Sequence, residues 1–433
     1  MKRFASIILA SAALCASAQQ YTLQQCINAA ISQNLQVKQS QLNVKLQEIQ
    51  LNTDKNSRLP NLNGSVSQQL SFGRSLTIDN TYANYNTANT GFGLSTSVPI
   101  FTGFAINNQV AIDKINLAAA SHDLNTIKEA LTIQVAKAYM QVLFYKEILQ
   151  ASHAQVELAK KQLDRKKAYL DVQKATIADV ADATSLVAQY ELTEVQNENN
   201  YQLALLELSQ LMELSSIDNF SVADIGDDDS YLLVERPEEI YRIALTQKPV
   251  IKAAELRIDA ADKSIALAKS HYYPQLNFNA GLGTSYFYSS GKQSANFGSQ
   301  MRDNFNQYLG LSLSIPIFNR LSTRNSVRRA KEEREQKTIA LDDAKKSLFK
   351  EIQQAYYTAL GSAKRFSSSK VALDAATTAF NLTKGKYEAG KANITEYHEA
   401  STNLLKATAD MLQAKYESIF NHKILAFYKG IPF

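Results

Sequence analysis

Four stretches of the chain alternate between apolar and polar residues. Leu62, Gly64, Val66, Leu70 and Phe72 alternate with Asn63, Ser65, Ser67, Gln69 and Ser71; Phe92, Leu94, Val98 and Ile100 alternate with Gly93, Ser95, Ser97 and Pro99. In the second half, Leu276, Phe278, Ala280, Leu282 and Tyr286 stand against Asn277, Asn279 and Ser285, and Leu309, Leu311, Leu313, Ile315 and Ile317 against Gly310, Ser312 and Ser314. A period of two predicts strands with one apolar and one wet face. Elsewhere the period is helical. Neither Pro nor Gly interrupts Phe104 to Asp171, which predicts a helix of roughly 100 Å at about 1.5 Å per residue. Within it Val142, Leu149, Val156, Leu163 and Leu170 keep a heptad spacing, as do Ala359, Phe366, Leu373, Phe380 and Tyr387 later. Sustained heptads predict coiled-coil packing. Reversals near 171–176 and 389–393 lead into return helices over 177–213 and 393–425.

The chain is written twice. Gln33-Asn34 before Leu35 answers to Gln247-Lys248, and Pro60-Asn61-Leu62 to Pro274-Gln275-Leu276, at an offset of 214. Downstream the offset is 217: Val98-Pro99-Ile100-Phe101 matches Ile315-Pro316-Ile317-Phe318, Ala138-Tyr139 matches Ala355-Tyr356, and Lys174-Ala175-Thr176-Ile177 matches Lys391-Ala392-Asn393-Ile394. The expected organisation is a repeat over 19–213, an acidic linker over 214–236 containing Asp224 and Asp227 to Asp229, a second repeat over 237–425 and a tail over 426–433. Each repeat is expected to hold one helix, two strands and two long helices.

Segments 59–73, 80–112, 271–291 and 304–319 contain no Asp, Glu, Lys or Arg. A soluble sheet normally carries charge on its wet face, whereas a charge at the bilayer midplane costs about 2–4 kcal/mol. Tyr272, Tyr273, Tyr286, Phe287 and Tyr288 bracket one strand as an interfacial girdle does. The competing reading is a soluble β-sandwich. In lipid, four strands leave open edges, so closure must come from further copies of the chain. Two copies give eight strands and a filled interior; three give twelve strands and an aqueous lumen. The long charged helices must project into water.

Composition narrows the chemistry. The 433 residues include 15 Gly, 7 Pro, no Trp, 5 His and 2 Cys, with a diffuse formal charge of +5. That disfavours nucleic-acid binding, disulfide scaffolds and metal centres, and implies no cofactor. Lys2 and Arg3, an apolar run from Phe4 to Cys15 and Ala16-Ser17-Ala18 read as a signal peptide over 1–18. Its loss leaves a charge of +3 and Cys26 as the remaining cysteine. Lipid anchoring at Cys15 is the alternative, against which stands the bulky Leu14 before it.

Taken together, the signal peptide, paired repeats, Val-Pro-Ile-Phe and Ile-Pro-Ile-Phe strand ends and heptad helices resemble the TolC-like family of bacterial outer-membrane efflux ducts. The resemblance covers nearly all of the mature chain. It implies a membrane protein of mixed α/β class: a homotrimer in which four strands per chain build a twelve-stranded transmembrane β-barrel in outer-membrane lipid. A coiled-coil α-helical barrel would cross the periplasm to a periplasmic adaptor protein and an inner-membrane efflux pump.

Tyr387-Glu388-Ala389-Gly390, followed by Glu396 and Glu399 and then Ala400, is similar to the family's periplasmic-tip signature. Gly390 suits a residue with positive φ at a tight reversal. By the family pattern Glu396 and Glu399 would line the entrance as acidic rings, with Asp179 and Asp182 in the equivalent places of the first repeat. Ala392 stands where a gating Arg can occur, which removes an Arg–Tyr latch although Tyr387 remains. Acids in a first helical turn also simply complement the helix dipole, and both readings stand. Lys174, Ala175, Thr176, Gly390, Lys391 and Ala392 are the expected adaptor contacts. Gly385 to Lys391 mimics a phosphate-binding loop but ends in Ala392 and follows a helix. Asp227 to Asp229 lack the ligand spacing of a calcium loop. The expected function is passive export of small molecules, without enzymatic chemistry. Type I protein secretion through the same duct and a non-transporting coiled-coil spacer are the alternatives; an enzyme using Glu396 and Glu399 has no pocket signature behind it.

Overall fold

The computed structural model describes residues 19–76, 80–84, 86–216, 220–226, 235–290 and 294–433. The targeting segment with Cys15, and Asp227 to Asp229, lie outside them. The first repeat contains β1 (Gln19–Tyr21), α1 (Leu23–Gln33), α2 (Leu35–Asn56), β2 (Asn63–Ser71), β3 (Arg74–Leu76), β4 (Tyr82–Asn84), β5 (Thr87–Phe101), α3 (Ala105–Asp171) and α4 (Ile177–Leu211). There follow β6 (Phe220–Val222), α5 (Pro237–Gln247), α6 (Pro249–Ser270), β7 (Gln275–Ser289), α7 (Phe297–Asp303), β8 (Asn306–Ser314), α8 (Ser322–Glu388) and α9 (Ile394–Tyr428). Corresponding helices begin and end at the offsets read from the sequence, 214 for α1/α5 and α2/α6, and 217 for α3/α8 and α4/α9.

Two compact units cut across this twofold order, and each draws on both halves of the chain. The unit formed by 42–122 and 253–342 holds an antiparallel sheet in the order β2-β5-β7-β8. Register places Val66 beside Phe92 and Phe92 beside Thr284, Leu94 beside Leu282, and Phe278 between Val98 and Leu311. Paired residues of an antiparallel ladder point the same way, so Val66, Phe92, Leu94, Val98, Phe278, Leu282 and Leu311 share one face. The other face carries Ser65, Gly93, Gly283 and Asn306 in one row and Ser97, Asn279 and Gly310 in another. On it the Tyr308 ring crosses Gly281 so closely that a Cβ there would lie 2.5 Å away. β2 and β8 are exposed almost throughout, and among the described residues their outward edges have no strand partner. Where β8 stops short, α7 covers the free edge of β7. The Gln300 side chain accepts from Phe287 N at 2.8 Å and donates to Phe287 O at 3.0 Å, as a neighbouring strand would.

The other unit, 19–41 with 123–252 and 343–433, packs a helical core around Tyr139, Leu143, Leu208, Met212, Val135 and Val142. The parallel β1–β6 ribbon sits against it, with the Tyr139 hydroxyl 2.5 Å from Ala223 O and 3.0 Å from Tyr21 O. Cys26 is buried in this core, and burial pushes its thiol up to about 12, which makes it unreactive. The heptad residues Val142, Val156, Ala359, Phe380 and Tyr387 are buried, and Leu149, Leu163, Leu170, Phe366 and Leu373 are half-buried.

The first helix of each repeat is two helices, which corrects the expected single one. Asn34 leaves helical geometry with ψ 134°, accepts from Gln36 N at 2.9 Å to start α2, and donates to Leu211 O at 3.3 Å. In the second repeat the break is forced by Pro249, because the residue before a proline avoids the helical region. Lys248 accordingly has ψ 126°. Strand ends also differ. The second strand runs from Thr87 rather than Phe92, the third continues to Ser289, and the fourth stops at Ser314, leaving Ile315 and Ile317 beyond it. The short strands β1, β3, β4 and β6 and helix α7 lack a long alternating or periodic signature. Among the described residues no helix is long and apolar enough to cross a membrane.

Candidate functional site

The two helical hairpins that end α3/α4 and α8/α9 belong to the same unit and close by the same backbone device. Gln173 N donates to Leu170 O at 2.9 Å and Lys174 N to Tyr169 O at 2.7 Å. In the second hairpin Gly390 N donates to Tyr387 O at 3.0 Å and Lys391 N to Lys386 O at 2.8 Å. These bonds satisfy the last carbonyls of each helix and need one left-handed residue. That residue is Gly390 at φ +72° in one tip and Gln173 at φ +58° in the other.

Both return helices start in capping boxes. Asp179 N donates to Thr176 Oγ1 at 3.1 Å while Thr176 N donates to Asp179 Oδ2 at 2.8 Å. Glu396 N donates to Asn393 Oδ1 at 2.8 Å and Asn393 N to Glu396 Oε2 at 3.3 Å. Asp179 has a further partner, Lys166 Nζ, 3.3 Å from its Oδ1. The backbone and hydroxyl of Thr176, then Lys166, hold the Asp179 carboxyl at about 2, below its usual range. Asp182, Glu396 and Glu399 are exposed, as are Lys174, Thr176, Gly390 and Lys391; Ala175 and Ala392 are half-buried.

Tyr387 points inward and is 9% exposed. Its ring stacks on Tyr397 at 4.9 Å and 28°, and Phe380 lies 5.6 Å from Tyr397. With Val156, Ala159, Leu186, Val187 and Tyr190 they form one apolar cluster shared by the two hairpins. Burial raises the Tyr397 and Tyr190 hydroxyls, which stay neutral. Tyr190 OH reaches His398 Nδ1 at 3.2 Å, and Gln155 donates to Ser401 Oγ at 2.8 Å.

Three residues of α3 that the sequence reading passed over tie the hairpins together. Lys166 Nζ sits 5.2 Å from the Tyr387 ring centre, Arg165 lies 3.9 Å from the Glu388 carboxylate, and Gln162 donates to Glu388 Oε1 at 3.4 Å. Arg165 also donates to Tyr169 OH at 3.1 Å. One signal was available: counting outward from the turn of an antiparallel hairpin brings Lys166 opposite Asp179. The contacts between hairpins had no such signal, because they depend on how two helix pairs pack.

The family model described as outer membrane efflux protein matches residues 26–213 and 240–421. The chain belongs to that family. It is similar to the outer membrane protein TolC of Escherichia coli K12, 26% identical over 366 residues, which is 82% of this chain and 72% of TolC. It is also similar to the alkaline protease secretion protein AprF of Pseudomonas aeruginosa, 21% identical over 305 residues, 70% of this chain and 62% of AprF. Among solved structures the CmeC outer membrane channel of Campylobacter jejuni superposes with a TM-score of 0.76 at 18% identity, over 95% of this chain and 86% of CmeC. As a member of the outer membrane efflux protein family, the chain is an outer-membrane export protein with the fold of these channels.

Proposed function

We propose that the chain is the passive outer-membrane duct of a tripartite efflux system, exporting small molecules handed over by a periplasmic adaptor and an inner-membrane pump. The carrying observation is the open four-stranded sheet, apolar on one face, polar on the other and free of charge. An unpaired sheet edge is not tolerated in lipid, and three copies would close twelve strands around a water-filled lumen. The two units then divide the work, with the sheet in the membrane and the hairpin tips at the periplasmic entrance. The repeats 19–213 and 237–425 are the organisation this reading uses. Energy comes from the partner pump, and the chain itself performs no catalysis.

At the tips, Asp182, Glu396 and Glu399 are the acids we assign to the entrance, because they are exposed. Asp179 carries less free charge there, since Lys166 and the helix start already engage it. Tyr387 acts as a positioning residue through its stack on Tyr397. Lys174, Ala175, Thr176, Gly390, Lys391 and Ala392 form the turn surfaces offered to the adaptor. In a planar bilayer the wild-type protein should show cation-preferring conductance. Glu396→Gln with Glu399→Gln should lower that preference and weaken block by multivalent cations; unchanged selectivity in the double variant removes the entrance assignment, and absence of any conductance removes the duct. The likeness to AprF, an alkaline protease secretion protein, favours a second reading, a polypeptide as cargo. Export of a secreted protein lost with this chain, while drug and detergent tolerance is kept, would select it.

A further inference from the structure

Just past β8 the chain changes character. Residues 304–319 carry no charge, and 320–331 then hold five cations, Arg320, Arg324, Arg328, Arg329 and Lys331, with no acid among them. Arg329 pairs with Glu333 at 2.8 Å. Arg320, Arg324 and Arg328 are exposed, and among the described residues no carboxylate pairs with them. The apolar residues that precede them are equally open. Leu309, Leu311 and Leu313 lie exposed on β8, and Ile317 and Phe318 beyond it are 95% and 77% exposed.

A polar cavity of about 380 Å³ shows which way the arginines face. It is lined by Gln275 and Ser314, which pair on the polar face of the sheet, and by Ser322 and Ser326 of α8. Arg324 and Arg328 each stand two residues on from one of these serines, about 200° around a helix of about 3.6 residues per turn. They therefore project away from the polar face, on the side of the β8 leucines. Arg320 occupies the turn between strand and helix, where it and Leu321 both hold positive φ, 54° and 61°.

The fold itself does not call for these charges. At the 217-residue offset Arg320, Arg324 and Arg328 answer to Gly103, Asn107 and Ala111, so the first repeat builds the same junction without them. The cation found there, Arg58, is engaged by Asn107 at 2.7 Å. Arg324 also sits in the first turn of α8, where a positive charge opposes the helix dipole.

We propose that Arg320, Arg324 and Arg328 hold the phosphates of anionic phospholipids in the leaflet on the helical side of the sheet, with Ile317 and Phe318 against the acyl chains. This rests on the reading of the sheet as a membrane wall. Guanidinium groups grip phosphate oxygens in pairs, and their stems lie along apolar surface while the heads stay in the polar layer. Basic clusters flanking a membrane-spanning segment attract anionic lipid in this way.

The test is electron spin resonance of the full signal-processed protein in phosphatidylcholine bilayers, with trace chain-labelled phosphatidylglycerol or phosphatidylcholine as the probe. Phosphatidylglycerol should be immobilised several-fold in preference to phosphatidylcholine in dilute buffer. The preference should fade at about 1 M salt, where charges are screened within about 3 Å. Arg320→Gln with Arg324→Gln and Arg328→Gln should remove most of it, each single change should remove part, and Lys370→Gln, outside the sheet unit, should keep it. Equal immobilisation of both lipids by the wild type, or an unchanged preference in the triple variant, overturns the proposal. So does a triple variant that falls to single chains in detergent, which would assign the arginines to a neighbouring copy. Immobilisation of neither lipid would instead remove the membrane wall, and this inference with it.

Discussion

At the scale of single residues, the left-handed position in each hairpin is the clearest lever. Gln173 holds φ +58° where the second tip has Gly390, and a residue with a Cβ pays roughly 1 kcal/mol or more for that conformation. Gln173→Gly should therefore slow amide exchange at residues 169–176, and Gly390→Ala should speed it at 386–393. The requirement at Gly390 was legible because glycine advertises it. Gln173 gave no such sign and becomes visible only through the 217-residue offset. Asp179 provides a pH test. Its folded value of about 2 lies below the ordinary 3.8, so its contribution is present above 3.8 and is lost as pH falls through about 2. Protection of the first α4 turn should follow that window in the wild type, and in Asp179→Asn it should be weaker at neutral pH and insensitive to acid. An identical acid profile in the variant would contradict the assigned capping bond.

At the scale of elements, long periodic segments were readable and short ones were not. The heptads of α3 and α8 and the alternation of β2, β5, β7 and β8 each repeat often enough to stand out. The break between α1 and α2 rests on a single side chain, Asn34, and its counterpart on Pro249, so the pair looked like one helix. That second break has its own anchor. The Lys248 ammonium is 6% exposed, 3.1 Å from Glu129, 3.2 Å from Phe427 O and 4.2 Å from the Phe427 ring centre. Removing one partner of such a pair leaves a buried charge unanswered. Lys248→Met should cost about 2 kcal/mol, less than a fully buried pair because Glu129 is partly exposed. Detergent-phase thermal unfolding measures this, and an unchanged midpoint would show that the lysine is incidental. The tip acids illustrate the limit of element-level reading. Their place in the first helical turn was evident, but engagement of Asp179 by Lys166, and the inward turn of Tyr387, depend on neighbouring helices.

At the scale of the whole molecule, duplication and compactness follow different boundaries. The sequence repeats run along the chain, whereas each compact unit takes strands or helices from both halves. The sheet shows why: β5 of the first half pairs with β7 of the second along nearly their full lengths. Neither half holds the whole sheet, and among the described residues the outer edges of β2 and β8 have no strand partner. Sequence could reveal the charge-free strands and the need for closure. The lumen that a pore needs, and the family resemblance, also gave an expected homotrimer, whose closure the single chain does not itself contain. The most direct measurement is the native mass of the signal-processed protein extracted from outer membranes in detergent. A mass of three chains is the predicted result. A stable single chain with its sheet edges open would contradict the shared barrel and the duct with it.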